Sequence, residues 1–261
     1  MNSRRLFIKQ SLAVTAGFAG LSAFLNSNIN ATPRPFGRGD DDWLQVPEGF
    51  SAKIISRQGD KMSDGLLVPG KADGMAAFSH KGNVVLIRNH ENNPTSAGQG
   101  AFGNQLELLS KVDRKRFYDF GFGKTPGLGG TTTVVFNEST QTLVEQYLSL
   151  AGTNRNCAGG PTPWQSWLTC EEDVTPMGAE SEKFHGYTFE VPVDSRKPVD
   201  PVPLKAMGRF NHEAVCVDPR TGIVYLTEDR HDSLIYRFIP KVKGKLARGG
   251  TLQALCLRAQ K

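Results

Sequence analysis

Residues 213–227 read Glu213-Ala214-Val215-Cys216-Val217, then Asp218-Pro219-Arg220-Thr221-Gly222, then Ile223-Val224-Tyr225-Leu226-Thr227. The flanks are strand length and rich in β-branched and aromatic residues. Between them Pro219 supplies a φ near −65° and Gly222 a positive φ, so the stretch is an antiparallel hairpin. Working outward, short runs of the same character recur at Asn83–Arg88, Thr131–Phe136, Leu143–Leu150, Trp164–Cys170, Tyr187–Val191 and Leu234–Phe238. No ten-residue helical stripe separates them, which excludes parallel βαβ units and predicts an all-β sandwich, barrel or propeller. One patch, Gln105–Phe117, carries Leu106, Leu109, Val112 and Arg116 at roughly helical spacing. It predicts a helix-like insertion outside the core.

Composition agrees with that class. The chain has 261 residues, long enough for a sizeable core, and its 28 Gly and 15 Pro favour turns over long helices. Lys plus Arg outnumber Asp plus Glu by 31 to 26, but Arg4, Arg5 and Lys9 fall in a leader expected to be removed. The remaining excess of two, with no basic run, excludes nucleic acid as a natural partner.

Residues 3–9 read Ser-Arg-Arg-Leu-Phe-Ile-Lys, the run Ser11–Leu25 is uncharged and apolar, and the first acid is Asp40. This is the pattern of a twin-arginine signal, expected to occupy residues 1–31 with cleavage after Ala31. Fifteen residues at about 1.5 Å each fall short of a roughly 30 Å hydrocarbon core, so no stable membrane span is expected. The predicted destination is periplasmic or extracellular, with the twin-arginine translocation machinery as a transient partner. Four cysteines there could pair in three ways. Their contexts differ too much to favour pairing: Cys170 and Cys216 read as small core residues, Cys256 lies near the end, and only Cys157 sits in a Gly-rich loop.

That loop is the densest candidate for chemistry. It runs Leu150-Ala151-Gly152-Thr153-Asn154-Arg155-Asn156-Cys157-Ala158-Gly159-Gly160 and continues through Trp164 and Trp167 to Thr169-Cys170-Glu171-Glu172. A thiol brought near strand-end carboxylates makes a mixed sulfur and oxygen donor set, suited to iron and a harder ion such as calcium. The competing reading is a loop cysteine with solvated surface acids. Strand ends at Asn89-His90-Glu91, Glu171-Glu172 and Glu228-Asp229 also end in acids, which would converge at one end of a propeller channel. Arg155 and Arg209 add fixed positive charge near these loops, as a phosphate site requires. The histidines show no zinc-protease spacing, and there is neither a P-loop nor a G-x-S-x-G elbow.

Three blocks, Asn156-Cys157-Ala158-Gly159-Gly160 through Glu172, Gly208-Arg209-Phe210-Asn211-His212-Glu213-Ala214, and Tyr225-Leu226-Thr227-Glu228-Asp229, resemble the PhoX family of secreted alkaline phosphatases. Asp73-Gly74-Met75-Ala76, Asn89-His90-Glu91 and Gly129-Gly130-Thr131-Thr132 match the same family in the same order, and the likeness runs from about Leu44 to the C-terminus. The resemblance implies a six-bladed β-propeller that hydrolyses phosphomonoesters with ferric iron and calcium bridged by an oxo group, and it suggests a monomer. It implies Cys157, Glu172 and Glu213 as metal ligands. Glu91 and Glu228 are added from their strand-end positions, and Arg155 and Arg209 as substrate-binding cations; no catalytic side chain is assigned.

The chain stops at Lys261, about one blade after Glu228, and at about 40 to 50 residues per blade residues 32–261 are expected to form only the N-terminal part of the ring. Two alternatives stay open beside the phosphatase: a non-catalytic exported propeller that binds a ligand, and an inactive fragment of a longer phosphatase.

Overall fold

A computed structural model of the chain describes residues 37–38, 45–47, 49–96 and 98–257. The twin-arginine leader and its cleavage point lie outside the described residues. These fall into two units divided after Ile54. In the first, β1 (Gly37–Arg38) pairs antiparallel with β2 (Gln45–Val46).

The second unit is all-β. Strands β3 (Ala72–His80), β4 (Asn83–His90), β5 (Gly129–Asn137) and β6 (Thr142–Thr153) form one antiparallel meander. β7 (Asn156–Pro161), β8 (Ser166–Glu171) and β9 (Thr188–Pro192) form a second, and β10 (His212–Val217), β11 (Val224–Glu228), β12 (Ile235–Pro240) and β13 (Gly250–Ala254) a third. Three successive antiparallel meanders, each packed on the next, are the blades of a partial propeller. The expected strands fall on β4, β5, β6 and β8 to β12. The helix-like patch does not form an α-helix: Gln105–Phe117 holds only the short 3₁₀ turns Leu109–Lys111 and Arg114–Arg116. Its apolar residues Leu106 and Leu109 instead pack on a separate small cluster around Phe102, Phe117 and Leu128.

Blade faces carry the core. Phe78, Val85, Ile87 and Leu150 of the first sheet meet Trp167, Phe189 and Val191 of the second. Leu168 and Cys170 of the second meet Val215, Val224, Leu226 and Phe238 of the third. Alternation along β8 sends Trp167 to one neighbouring blade and Leu168 and Cys170 to the other, and each buried Leu, Ile or Phe contributes about 2 kcal/mol. Cys170 is buried as expected, whereas Cys216 is exposed because the opposite face of β10 is unpacked; all four cysteines are unpaired.

The first strands of the blades, β3, β7 and β10, lie side by side, close enough that only glycine fits at the crossings. A Cβ on Gly74 would stand 2.8 Å from Ala158 Cα, and one on Gly160 would stand 2.0 Å from the Val215 carbonyl oxygen. This crowding explains why β3 and β7 are built from Asp-Gly-Met-Ala and Cys-Ala-Gly-Gly, a composition with little β-propensity. Asn89, fully buried, ties two blades together at that point. Its amide donates to the Cys157 and Ala158 carbonyls at 3.0 and 2.7 Å and its oxygen accepts from Trp167 Nε1 and Thr169 Oγ1, each at 2.8 Å.

Candidate metal centre

The register of the first two strands repeats in all three blades. Ala72 pairs with His90 and Met75 with Arg88; Asn156 pairs with Glu171 and Gly159 with Thr169; His212 pairs with Glu228 and Val215 with Leu226. Each first strand therefore places two residues opposite one, a bulge that bends the strand and re-aims its side chains. The first bulged residue is Asp73, Cys157 or Glu213. The residue just past the partner strand is Glu91, Glu172 or Asp229. One structural device thus presents one donor pair per blade.

These donors converge. The Cys157 sulfur and carboxylate oxygens of Glu172 and Glu213 lie within 4.8 Å of one another. Burial, with Asp229, Asp73 and Glu91 nearby, raises the Glu213 carboxyl above its ordinary range, although the Cys157 thiol opposes the shift. Burial raises Glu172 too, against the pull of Arg155 and with the push of Glu213, Glu91 and Asp229. Asp73 is raised by burial and by Glu91. Burial, with Cys170, Glu213 and Glu172 close by, drives the Cys157 thiol far above its normal value. The nearest acceptor for its sulfur is the His212 carbonyl, 3.3 Å away, with the Cys170 and Glu213 carbonyls each at 3.7 Å.

Two of these five carboxylates are bound by a guanidinium. Arg155 donates to Glu91 through Nε at 3.0 Å and Nη2 at 2.8 Å, and through Nη2 to Glu172 at 2.5 Å. Asp73, Glu172 and Glu213, whose charged forms are disfavoured by burial and by neighbouring acids, fit cations, which reverse those shifts. The donor set divides chemically: thiolate with Glu172 and Glu213 suits iron, and the remaining oxygens suit calcium.

The structure brings Cys157, Glu172, Glu213 and Glu91 together. It turns Glu228 away: its carboxylate accepts from Tyr236 Oη at 2.9 Å, and the next residue, Asp229, reaches the cluster instead. Arg209 is also occupied elsewhere, donating to the Val174 carbonyl at 2.6 Å and lying over the Phe184 ring. Asp73 and Asp229 are the acids the sequence reading did not single out, although both fall within the motifs it quoted.

A second charged group braces this site. His185, fully buried, places Nδ1 2.6 Å from Glu171 and Nε2 3.1 Å from Asp119. Glu171, the residue before Glu172, also accepts from the amides of Gly186, Tyr187 and Asn154, the last being the residue before Arg155. Burial alone would lower the His185 pKa; the two carboxylates overcome it and raise the value to about 9 from 6.5. A raised value stabilises the fold fully below about pH 6.5, and the contribution declines to nothing as pH passes about 9. That window corresponds to about 3 kcal/mol. Thermal melts from pH 6 to 10 should show wild type losing stability across it while His185→Gln is flatter; parallel curves would contradict the assignment.

Residues 32–261 match the family described as alkaline phosphatase PhoX. No curated protein matches the chain.

Proposed function

Since the chain belongs to the PhoX alkaline phosphatase family and is a phosphoric monoester hydrolase, we propose that the three-blade cluster is the centre at which it hydrolyses phosphomonoesters. The family is metal-dependent. The finer reading is that Cys157, Glu172 and Glu213 hold ferric iron while Glu91, Asp73 and Asp229 serve calcium. The observation that carries it is the convergence of Cys157, Glu172 and Glu213 to within 4.8 Å. Glu228, proposed from its strand-end position, is replaced in this reading by Asp229.

Bound ions would supply Lewis acidity, drawing charge from the phosphoryl oxygens during in-line displacement. The chain's own groups do the rest. Arg155, whose Nε and Nη2 are held by Glu91 and Glu172, keeps Nη1 to donate to an oxygen of the entering phosphoryl group. Asn89 fixes the backbone of Cys157, and the Glu171–His185 pair fixes the chain just before Arg155 and Glu172. Such positioning keeps the charge-stabilising groups in place before substrate arrives. Arg209, bound to the Val174 carbonyl, has the weaker claim to a substrate contact.

The Ser3–Lys9 pattern and the apolar run after it support export by the twin-arginine route to the periplasm or beyond, and the family resemblance supports a monomer. No helix among the described residues is long and apolar enough to cross a membrane.

A chromogenic phosphomonoester at alkaline pH tests the reading. Turnover should fall to background after strong chelation and return when iron and calcium are restored. Full activity in chelated protein would overturn it.

A further inference from the structure

Beside the cluster lies a recess of about 230 Å³ that the hydrolytic centre does not use. Asn93, Thr95, Thr125, Asn154, Asp173 and Glu180 line it. Three of its walls continue directly from the cluster. Asn154 precedes Arg155, Asp173 follows Glu172, and Asn93 stands two residues after Glu91. Asp173 is close enough to Arg155 to help raise the guanidinium pKa, although burial opposes that rise and Glu91 and Glu172 contribute more to it.

The lining has a definite chemistry. Hydroxyl, amide and carboxylate groups dominate, Asn154 is almost wholly buried with its Oδ1 unpartnered, and neither lysine nor arginine is among the lining residues. Asp119 and His185 also reach the wall, but the one positive charge of His185 is held between Asp119 and Glu171. Asp173 and Glu180 are left as two negative charges with no cation of the lining opposite them.

We infer that this recess receives the alcohol half of the ester and selects uncharged polyhydroxyl alcohols, the phosphates of glycerol and small sugars, against carboxylated ones. The inference rests on the proposed function. Its volume equals about eight waters at ~30 Å³ each, the size of a small polyol. Hydroxyl groups on such an alcohol can donate to Asp173 and Glu180 and to the oxygens of Thr95 and Thr125, whose own hydrogens are given to Asn93 Oδ1 and the Glu180 carbonyl, whereas a carboxylate has no hydrogen to offer them. A carboxylate in the same place meets two like charges in a partly enclosed site, which costs enough to lower its kcat/KM on the order of tenfold. In the reaction, the bond between phosphorus and the ester oxygen breaks, water supplies the new oxygen on phosphorus, and a proton from that water ends on the released alcohol.

The test compares sn-glycerol 3-phosphate with 3-phosphoglycerate, which differ by a hydroxymethyl group in place of a carboxylate, on the metal-loaded full chain. Wild type should favour glycerol 3-phosphate in kcat/KM by about tenfold. In the double variant Asp173→Asn with Glu180→Gln the ratio should narrow several-fold, through a lower KM for phosphoglycerate. Asn at 173 keeps an acceptor for the Thr175 amide that Asp173 now holds at 2.6 Å, and residue 180 is exposed, so the variant should fold. Equal kcat/KM values in wild type, or a ratio that the double variant leaves unchanged, would overturn the inference alone. Failure to hydrolyse either ester or a chromogenic one would overturn the functional reading and this inference with it.

Discussion

Cys157→Ala is expected to lose bound iron and to lower phosphomonoester turnover by more than about a hundredfold, with the far-ultraviolet circular dichroism of wild type. The thiol is almost completely buried and is held protonated by burial and by the acids around it, so it becomes a thiolate only when a cation replaces its proton. Loss of partners that merely orient a ligand already costs ten- to a hundredfold in affinity or activity, and loss of the ligand should cost more. The fold should tolerate the change, because removing one sulfur from the packing costs about 1 kcal/mol. Iron content and kcat of the purified variant check the expectation. Wild-type turnover in iron-free Cys157→Ala would remove Cys157 from the centre.

Gly160→Ala should be among the most destabilising single methyl additions in the second unit. Its Cβ would meet the Val215 carbonyl oxygen at 2.0 Å and the Val215 side chain at 3.0 Å. Both belong to the next blade's first strand, so β10 must move away from β7. Overpacking against backbone costs about 3 kcal/mol, a fall in melting temperature of about 6 to 12 °C for a domain of this size. The same shift would carry Glu213 away from Cys157 and weaken metal binding. Gly82 supplies the contrast: it has a φ of +75° but nothing within 4 Å of its Cβ position. Gly82→Ala should cost only the backbone strain, about 1 kcal/mol. Equal melting temperatures for the two variants would contradict the close crossing of β7 and β10.

Those two residues mark where the sequence was readable and where it was not. The outer strands were legible because Val, Ile and aromatic residues crowd blade faces. The inner strands β3 and β7 were not, since a strand crossed closely by its neighbours must be small and glycine-rich, and such a run reads as a loop. The patch at Gln105–Phe117 misled for the opposite reason: its apolar spacing serves a local cluster fed from Met62, Leu66 and Phe102, not one helix face. At the site, Cys157, Glu172 and Glu213 came from a family resemblance. The bulge that aims Asp73, Cys157 and Glu213 alike is a matter of pairing register, which no single strand reveals. The same register decides between Glu228 and Asp229, because one step along a strand reverses the direction of the side chain. The Glu171–His185–Asp119 brace was beyond reach, its members standing 14 and 66 residues apart.

The most direct test of the central claim is the metal content of folded, exported wild-type protein, measured by plasma mass spectrometry after dialysis against metal-free buffer. Convergent donors from three blades predict iron and calcium retained in stoichiometric amounts. Protein that retains neither ion yet hydrolyses phosphomonoesters at its full rate would contradict the account.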